Sequence, residues 1–95
     1  MISKKIEIKS PVDGSVLGEV LNSCVRDIPS FVSKARKAYN SWCFSAPHER
    51  SEILRSAAKK LISKQKELAT LHTKESGKII LQSLKEISGA VGLLE

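Results

Sequence analysis

Residues 67–91 read ELATLHTKESGKIILQSLKEISGAV, and this stretch contains the clearest helix signals in the chain. Gly77 divides it, because glycine adopts the left-handed backbone conformation that ends a helix without steric cost. After Lys78, apolar residues recur at intervals of four and three positions: Ile80, Leu84, Ile87, Val91 and Leu94. This spacing places them on one face of a helix. The sequence therefore predicts a helix that ends at Gly77 and another that spans about residues 79–95.

The helical pattern before Gly77 extends back to Pro47. Its apolar residues share one arc of the helix: Ile53, Leu54, Ala57, Ala58, Leu61, Leu68 and Leu71. Lys64 falls inside this arc, and we therefore expect a kink or break near Ser63–Lys66. The pattern predicts helical structure over about residues 47–76.

Another helix is predicted over about residues 27–44. Asp27 is a favourable N-cap, and Pro29 is tolerated in the first turn because its missing N–H needs no partner there. The apolar face is formed by Ile28, Phe31, Val32, Ala35, Ala38, Tyr39 and Trp42. We expect Trp42 to be buried on this face, so that Trp42→Ala is the most damaging substitution wherever the segment is folded.

The first residues predict a β-hairpin over about residues 6–21. Ile6 and Ile8, and later Val16 and Val20, alternate with polar residues, as in a half-buried strand. Between them lies the turn sequence PVDG of residues 11–14, in which proline presets φ and glycine accepts a positive φ. The predicted fold class is mainly α with an N-terminal β-hairpin.

Composition and charge exclude several classes of protein. The 95 residues are 41% hydrophobic and carry 16 basic and 10 acidic side chains, a net charge of +6. This is ordinary globular composition and excludes a disordered or low-complexity chain. The longest apolar runs are too short for a membrane span, and the sequence opens without the apolar core of a signal peptide. The two cysteines indicate a reducing compartment, and we expect a cytoplasmic protein without membrane partners.

The residue types that usually carry chemistry are sparse. A zinc site needs about four closely grouped ligands, and Cys24, Cys43, His48 and His72 lack that grouping, so we expect no metal site. Cys43 is interpreted as a small buried hydrophobic residue, since it lies near the end of a helix that would not lower a thiol pKa. His72 is interpreted as a packed histidine at the core boundary.

The glycines and the basic residues also favour structural roles. The chain has no G-x-G-x-x-G run and no P-loop, so we expect no cofactor-binding residues. Gly89 and Gly92 are interpreted as points of close helix packing. The lysines and arginines spread over every predicted element instead of forming a stripe, and this favours a solvated surface without nucleic-acid binding. A small nucleic-acid-binding helical protein is a weaker alternative.

Four blocks of the sequence, in order, resemble the N-terminal segment of the aldehyde dehydrogenase superfamily. Residues 10–20, SPVDGSVLGEV, are similar to the family stretch NPxTGExIGxV. The second block resembles the helix pattern D…V…AR.A followed by tryptophan, and comprises Asp27, Val32, Ala35, Arg36, Ala38 and Trp42. The third resembles P…R..IL…A..L and comprises Pro47, Arg50, Ile53, Leu54, Ala57 and Leu61.

The last block, Leu68-Ala69 and residues 75–78, ESGK, resembles the family signature ELA…ETGK. The resemblance runs from about Ile6 to Glu95. Ser10 replaces the usual asparagine, Ser15 the common glutamate and Ser76 the threonine, which leaves the subfamily and the aldehyde substrate open.

The resemblance implies an N-terminal fragment of an NAD(P)-dependent enzyme that, at full length, oxidises an aldehyde to a carboxylic acid. The family's catalytic cysteine, general base, oxyanion-hole asparagine and dinucleotide fold lie beyond this segment, so it implies no catalytic or cofactor-binding residue here. Neither Cys24 nor Cys43 matches the nucleophile motif. NAD or NADP is implied only for the full-length enzyme, and the hairpin and helices are implied to flank its cofactor domain as structure.

A second hypothesis is a helical interaction module that docks on a partner through exposed apolar faces. The helical pattern continues to the last residues, which suggests that more sequence once followed. We therefore expect an open arrangement of helices with exposed Leu and Ile, marginal stability, and self-association or docking on the rest of an aldehyde dehydrogenase. A cooperative melt of a monomer above about 60 °C would contradict that expectation.

Overall fold

A computed structural model describes residues 4–95, in which a two-stranded hairpin precedes four α-helices. The strands are β1 (Lys5–Lys9) and β2 (Val16–Leu21), and a short 3-10 turn covers Val25–Asp27. The helices are α1 (Ile28–Trp42), α2 (Pro47–Ser63), α3 (Gln65–Ser76) and α4 (Ile80–Leu94). The predicted fold class, mainly α with an N-terminal hairpin, is confirmed.

The hairpin pairs its strands antiparallel and closes through the predicted turn. Ile6 lies opposite Val20, and the register shifts between Ile8 and Lys9, where the strand bulges. Gly14 has a φ of 75°, the left-handed conformation that the turn requires. The Asp13 carboxylate accepts a hydrogen bond from the Ser15 N–H at 2.9 Å, and hydrogen bonding to the Ser15 side chain and then to its backbone lowers the pKa of Asp13.

Asp27 begins α1 in a different way from that predicted. It has helical backbone angles and makes no side-chain cap to the turn that follows. Its carboxylate instead accepts a hydrogen bond from the backbone N–H of Cys24 at 3.3 Å, three residues earlier. The preceding 3-10 turn places Asp27 inside a helical turn, so its side chain caps that turn and not α1. Pro29 lies in the first turn of α1, as predicted.

The helical region before Gly77 divides at Lys64 into α2 and α3, within the interval predicted for a break. Lys64 has φ −109° and ψ 14°, outside the α-helical region. Gly77 ends α3 with a φ of 76°, and its N–H donates to the carbonyl of Thr73. The predicted glycine stop is confirmed.

The packed part of the molecule is formed by α2, α3 and α4. Helix α4 packs against both α2 and α3. Among the described residues, four side chains are buried: Ala58, Ala69, Ser83 and Val91. Three of these are small, which allows the helices to approach closely but removes little apolar surface from water. Helix α1 buries none of its residues, and its extensive contacts are with the 3-10 turn alone.

The molecule is a thin, open layer. Its extents are 49 × 38 × 14 Å and its radius of gyration is 17.5 Å, whereas a compact chain of this length has a radius of about 12 Å. It exposes 7784 Å², against about 5,400 Å² for a compact protein of this mass. The expected open arrangement with exposed Leu and Ile is confirmed.

Candidate functional site

Two regions of the described chain have features beyond simple packing. One is the apolar face of α1, which we call the α1 face and define as Ile28, Phe31, Val32, Tyr39 and Trp42. The other is a set of polar side chains where α3 meets α4, which we call the junction cluster and define as His72, Thr73, Lys78, Ser83 and Glu86. The first can bind an apolar partner, and the second can hold two helices together.

The α1 face is built from the predicted helical arc. Its five residues all remain between about two-fifths and two-thirds exposed, and Trp42 is 41% exposed. A shallow groove of about 730 Å³ lies at its C-terminal end and is lined by Ala35, Ala38, Tyr39, Ser41, Trp42 and Ser45. Aromatic side chains beside alanines in an open groove are typical of a surface that another apolar element covers.

Trp42 is therefore less buried than the sequence analysis predicted. The arc is formed as expected, but no other element of residues 4–95 covers it. Hydrogen bonds fix the loop beyond it, because Arg50 donates to the carbonyl of Ser45 and Glu49 accepts from the N–H of Ala46. The groove is thus held in shape at the point where the chain turns from α1 into α2.

The junction cluster lies on both sides of Gly77. Lys78 Nζ lies 2.5 Å from Glu86 Oε1, and His72 Nε2 lies 2.6 Å from Glu86 Oε2. Because an ionised carboxylate only accepts hydrogen bonds, both nitrogens act as donors. The fully buried Ser83 hydroxyl lies 2.8 Å from that of Thr73. Further along the same interface, Gln65 donates to the hydroxyl of Ser88 at 2.7 Å.

These contacts set the electrostatics of Glu86. Hydrogen bonding from Lys78, followed by that from His72, lowers the pKa of Glu86 from 4.5 to about 2, although desolvation acts in the opposite direction. The carboxylate is therefore ionised at neutral pH. Its side chain is 36% exposed, so solvent weakens the ion pair with Lys78. The arrangement is that of a structural ion cluster, since the described contact of the His72 ring is with Glu86, while the hydroxyls of Thr73 and Ser83 contact each other.

His72 occupies the boundary position that the sequence analysis assigned to it. Its ring is half-buried, and a small groove beside it is lined by Leu68, Leu71, Glu75, Glu86 and Ile87. The sequence analysis did not identify Glu86 as its partner. One residue could have indicated a polar contact at this interface. Ser83 is polar but lies inside the apolar arc of α4, where a polar side chain needs a hydrogen-bond partner.

The cysteines are placed apart from this cluster. Cys43 is half-buried and not fully buried as predicted, because α1 lacks a covering element at its C-terminus. Its Sγ lies 3.7 Å from the carbonyl of Asn40. Cys24, also half-buried, lies before the 3-10 turn and carries a free thiol like Cys43. No group of three or more potential metal ligands occurs within residues 4–95.

Gly89 and Gly92 do not mark close helix packing, contrary to prediction. A side-chain carbon built at either position would meet, among residues 4–95, no atom within 4 Å beyond the neighbouring backbone of α4 itself. Both glycines face open space because they lie off the packed side of α4. Gly77 differs, since a side-chain carbon there would lie 3.2 Å from Pro11 Cγ in the hairpin turn.

The described residues do not fit a dinucleotide. Such a cofactor binds where a parallel strand runs through a glycine-rich turn into a helix N-terminus. The strands here form an antiparallel pair, and Gly14 lies in the turn between them. We therefore derive no cofactor chemistry from this chain. Of the helices in the described range, none is both long and apolar enough to cross a membrane.

Comparison with known proteins places these features in a family. The sequence profile of the aldehyde dehydrogenase family matches residues 2–95. The chain belongs to the aldehyde dehydrogenase family. The resemblance that the sequence analysis found in four blocks is thereby confirmed over nearly the whole chain.

Relatives in this family come from distant organisms. The chain is 30% identical to aspartate-semialdehyde dehydrogenase 1 of Pseudomonas canavaninivorans over all 95 residues, which is 20% of that protein. It is 33% identical to a putative aldehyde dehydrogenase family 7 member A1 homolog of Caenorhabditis elegans, over 90% of this chain and 16% of that protein.

A third relative is the mitochondrial succinate-semialdehyde dehydrogenase of Oryza sativa subsp. japonica. It is 30% identical over 97% of this chain and 18% of its own length. The chain thus spans about a fifth or less of the length of these relatives. It corresponds to one segment of the aldehyde dehydrogenase fold, and the open α1 face belongs to that segment.

Proposed function

We propose that this chain is the N-terminal part of an NAD(P)-dependent aldehyde dehydrogenase and serves as structure beside its cofactor domain. The full-length enzyme oxidises an aldehyde to a carboxylic acid. The observation that carries the proposal is the family match over residues 2–95. The open surface supports it, because the chain exposes over 2,000 Å² more than a compact protein of its mass, and about 800 Å² per partner forms a stable interface.

The 95-residue chain alone is not competent for this reaction in our proposal. A thiolate nucleophile needs a base or a cationic neighbour that lowers its pKa. The contact described for Cys43 Sγ is with a backbone carbonyl, and the histidine of the junction cluster pairs with Glu86. Titration calorimetry of the chain with NAD and with NADP is the test. We expect no binding in the micromolar range, and micromolar binding of either dinucleotide would contradict the proposal.

A chimera tests the structural role directly. Residues 2–95 would replace the matching segment of the Pseudomonas canavaninivorans enzyme, and reduction of NAD and NADP would be measured with aspartate semialdehyde. We expect a folded, active chimera, because the packed helices and the α1 face would meet the same body. The matched control carries Phe31→Asp and Trp42→Asp on the α1 face, and we expect it to lose assembly. Equal activity of both chimeras would show that the α1 face does not contribute to assembly with the rest of the enzyme.

The reading frame downstream of the Glu95 codon gives an independent test. An open frame that continues into cofactor-domain sequence supports the full-length enzyme. A stop codon followed by unrelated DNA would exclude that form of the proposal for this gene.

The second candidate function is an interaction module that docks on a separate aldehyde dehydrogenase polypeptide or on a second copy of itself. The uncovered groove beside Trp42 favours it. Purification of the tagged chain from its own cells distinguishes the two cases. A specific aldehyde dehydrogenase recovered with the chain supports docking, whereas a stable monomer without a partner contradicts it.

We propose that nucleic acid is not a partner and that the protein is cytoplasmic. The basic residues are spread over all elements, so they form no concentrated footprint. Affinity for nucleic acid that falls steeply with salt would contradict the first statement. The free, half-buried thiols support a reducing compartment. Cell fractionation tests the second statement, and recovery in mitochondria, as the name of the rice relative describes, would contradict it.

A further inference from the structure

The junction cluster has a geometry that the proposed function does not use. Glu86 lies in the middle of α4 and contacts two residues that lie on opposite sides of Gly77 along the chain. His72 belongs to the last part of α3, and Lys78 follows the glycine directly. Each contacts a different carboxylate oxygen, so neither contact displaces the other.

The apolar contacts between α3 and α4 restrain the angle between these helices only in part, because the larger residues Leu68 and Ile87 remain half-buried beside the groove at His72. The fully buried side chains at their interface are Ala69 and Ser83, which are too small to interlock as larger residues do. The connection itself contains Gly77 in the left-handed conformation, the most permissive backbone residue. A further restraint is therefore needed to hold one orientation.

We propose that Glu86 is a latch that fixes the angle between α3 and α4 by holding the chain on both sides of the Gly77 turn. The Lys78 contact fixes the connection against α4, and the His72 contact fixes the last turns of α3 against the same carboxylate. The Thr73–Ser83 and Gln65–Ser88 hydrogen bonds set the lengthwise register of the helices. Each of these bonds joins a residue of α3 to one of α4, and neither includes a residue of the connection between the two helices.

Spin labels placed far from the turn measure this angle. Lys66 lies in the first turn of α3 and Leu93 in the last turn of α4, both are exposed, and both are at the helix ends farthest along the chain from Gly77. Eleven helical residues correspond to a lever of about 16 Å, which enlarges any change of angle. The 95-residue chain with Cys24→Ser, Cys43→Ser, Lys66→Cys and Leu93→Cys would be labelled. Double electron–electron resonance then gives the distance distribution.

Glu86→Gln is the decisive variant, and Glu75→Gln is its matched control. Glu75 lines the same groove but forms no ion pair within the described part of the chain. We expect Glu86→Gln to broaden the distance distribution at least about twofold, while Glu75→Gln leaves it unchanged. Lys78→Met removes one contact and should give intermediate broadening. Circular dichroism of each variant checks that helical content is retained.

Three results would overturn the proposal. One is an unchanged distribution in Glu86→Gln, and another is equal broadening in Glu75→Gln. The third is a distribution that is already broad in the parent chain, because the latch would then not hold the helices in solution. If Glu86→Gln lost its helical content, Lys78→Met would decide, and an unchanged distribution in that variant would reject the latch. The test does not depend on dehydrogenase activity, so it is separate from the proposed function.

Discussion

Helices α1 and α4 have the same length of 15 residues, and each carries a clear apolar face. Helix α4 buries Ser83 and Val91 between its neighbours, whereas α1 buries none of its residues. The difference is not in the helices but in what lies beside them. An amphipathic pattern therefore specifies which face of a helix is to be covered, and does not specify whether the covering element belongs to the same chain.

The largest effect expected is on the packed side of α4. Val91 is 8% exposed and Leu93, two residues later, is 90% exposed. Val91→Asp places a charge in an apolar site and should lower the free energy of unfolding by at least about 3 kcal/mol. Leu93→Asp should change it by less than about 0.5 kcal/mol. Helical circular dichroism in urea measures both, and similar losses would mean that α4 is not packed in solution.

Two glycines test the contrast between packed and open positions at the level of the backbone. Gly77→Ala should cost about 1–2 kcal/mol, because its φ of 76° is unfavourable for alanine and the new methyl group meets Pro11. Gly89→Ala on the open side of α4 should stabilise the chain by about 0.5–1 kcal/mol, since alanine favours the helix. Urea unfolding of the two variants gives changes of opposite sign. The same sign for both would contradict the assigned turn.

Serine hydroxyls provide a smaller contrast between packed and open helices. Ser83→Ala leaves the Thr73 hydroxyl without its buried partner and should cost about 1 kcal/mol. Ser33→Ala on exposed α1 should be neutral or slightly stabilising through helix propensity. Denaturant midpoints compare the two variants. A Ser83→Ala variant as stable as Ser33→Ala would show that the Thr73 contact contributes nothing.

Lowering the pH should weaken the contacts of the junction cluster before it affects the stability of α1. The folded pKa of Glu86 is lowered to about 2, so its contribution to stability is complete above 4.5, its ordinary value, and is lost as the pH falls toward 2. The parent chain should therefore lose more stability than Glu86→Gln between pH 5 and pH 2. Unfolding measured at several pH values tests this sign. Parallel pH profiles for the two proteins would contradict it.

Only a small effect in the isolated chain is expected at Trp42. Because the ring is 41% exposed, Trp42→Ala should change the free energy of unfolding of the 95-residue chain by less than about 1 kcal/mol. In the chimera described above, where a larger body covers α1, it should cost about 3–5 kcal/mol. Equal effects in the two settings would mean that the α1 face remains uncovered in the assembled enzyme.

Local signals predicted most of the fold. Gly14 and Gly77 predicted the turns, because their positive φ is a requirement of the backbone itself. Lys64 predicted the break between α2 and α3, since a charge on an apolar arc opposes a continuous buried helix. These features depend on a few neighbouring residues, and the structure forms them where the sequence indicates.

Features that depend on distant partners were predicted less well. The burial of Trp42 and Cys43, and close packing at Gly89, were inferred as though every apolar or small surface had a neighbour. Glu86 was missed because its partners lie 8 and 14 residues away, across a turn whose geometry periodicity does not give. The side chain of Asp27 was assigned to the wrong turn because no residue pattern indicated the 3-10 turn before α1.

The thickness of 14 Å has a consequence for how such a segment gains stability. An α-helix with its side chains is about 10–12 Å across, so the molecule is a single layer of helices. In a compact body the buried volume grows faster than the surface, but in a single layer both grow in proportion to the number of helices. If further helices were added in the same plane, the solvent-exposed surface area per residue would stay unchanged. Only a second layer, stacked above or below the first, gives these residues an interior.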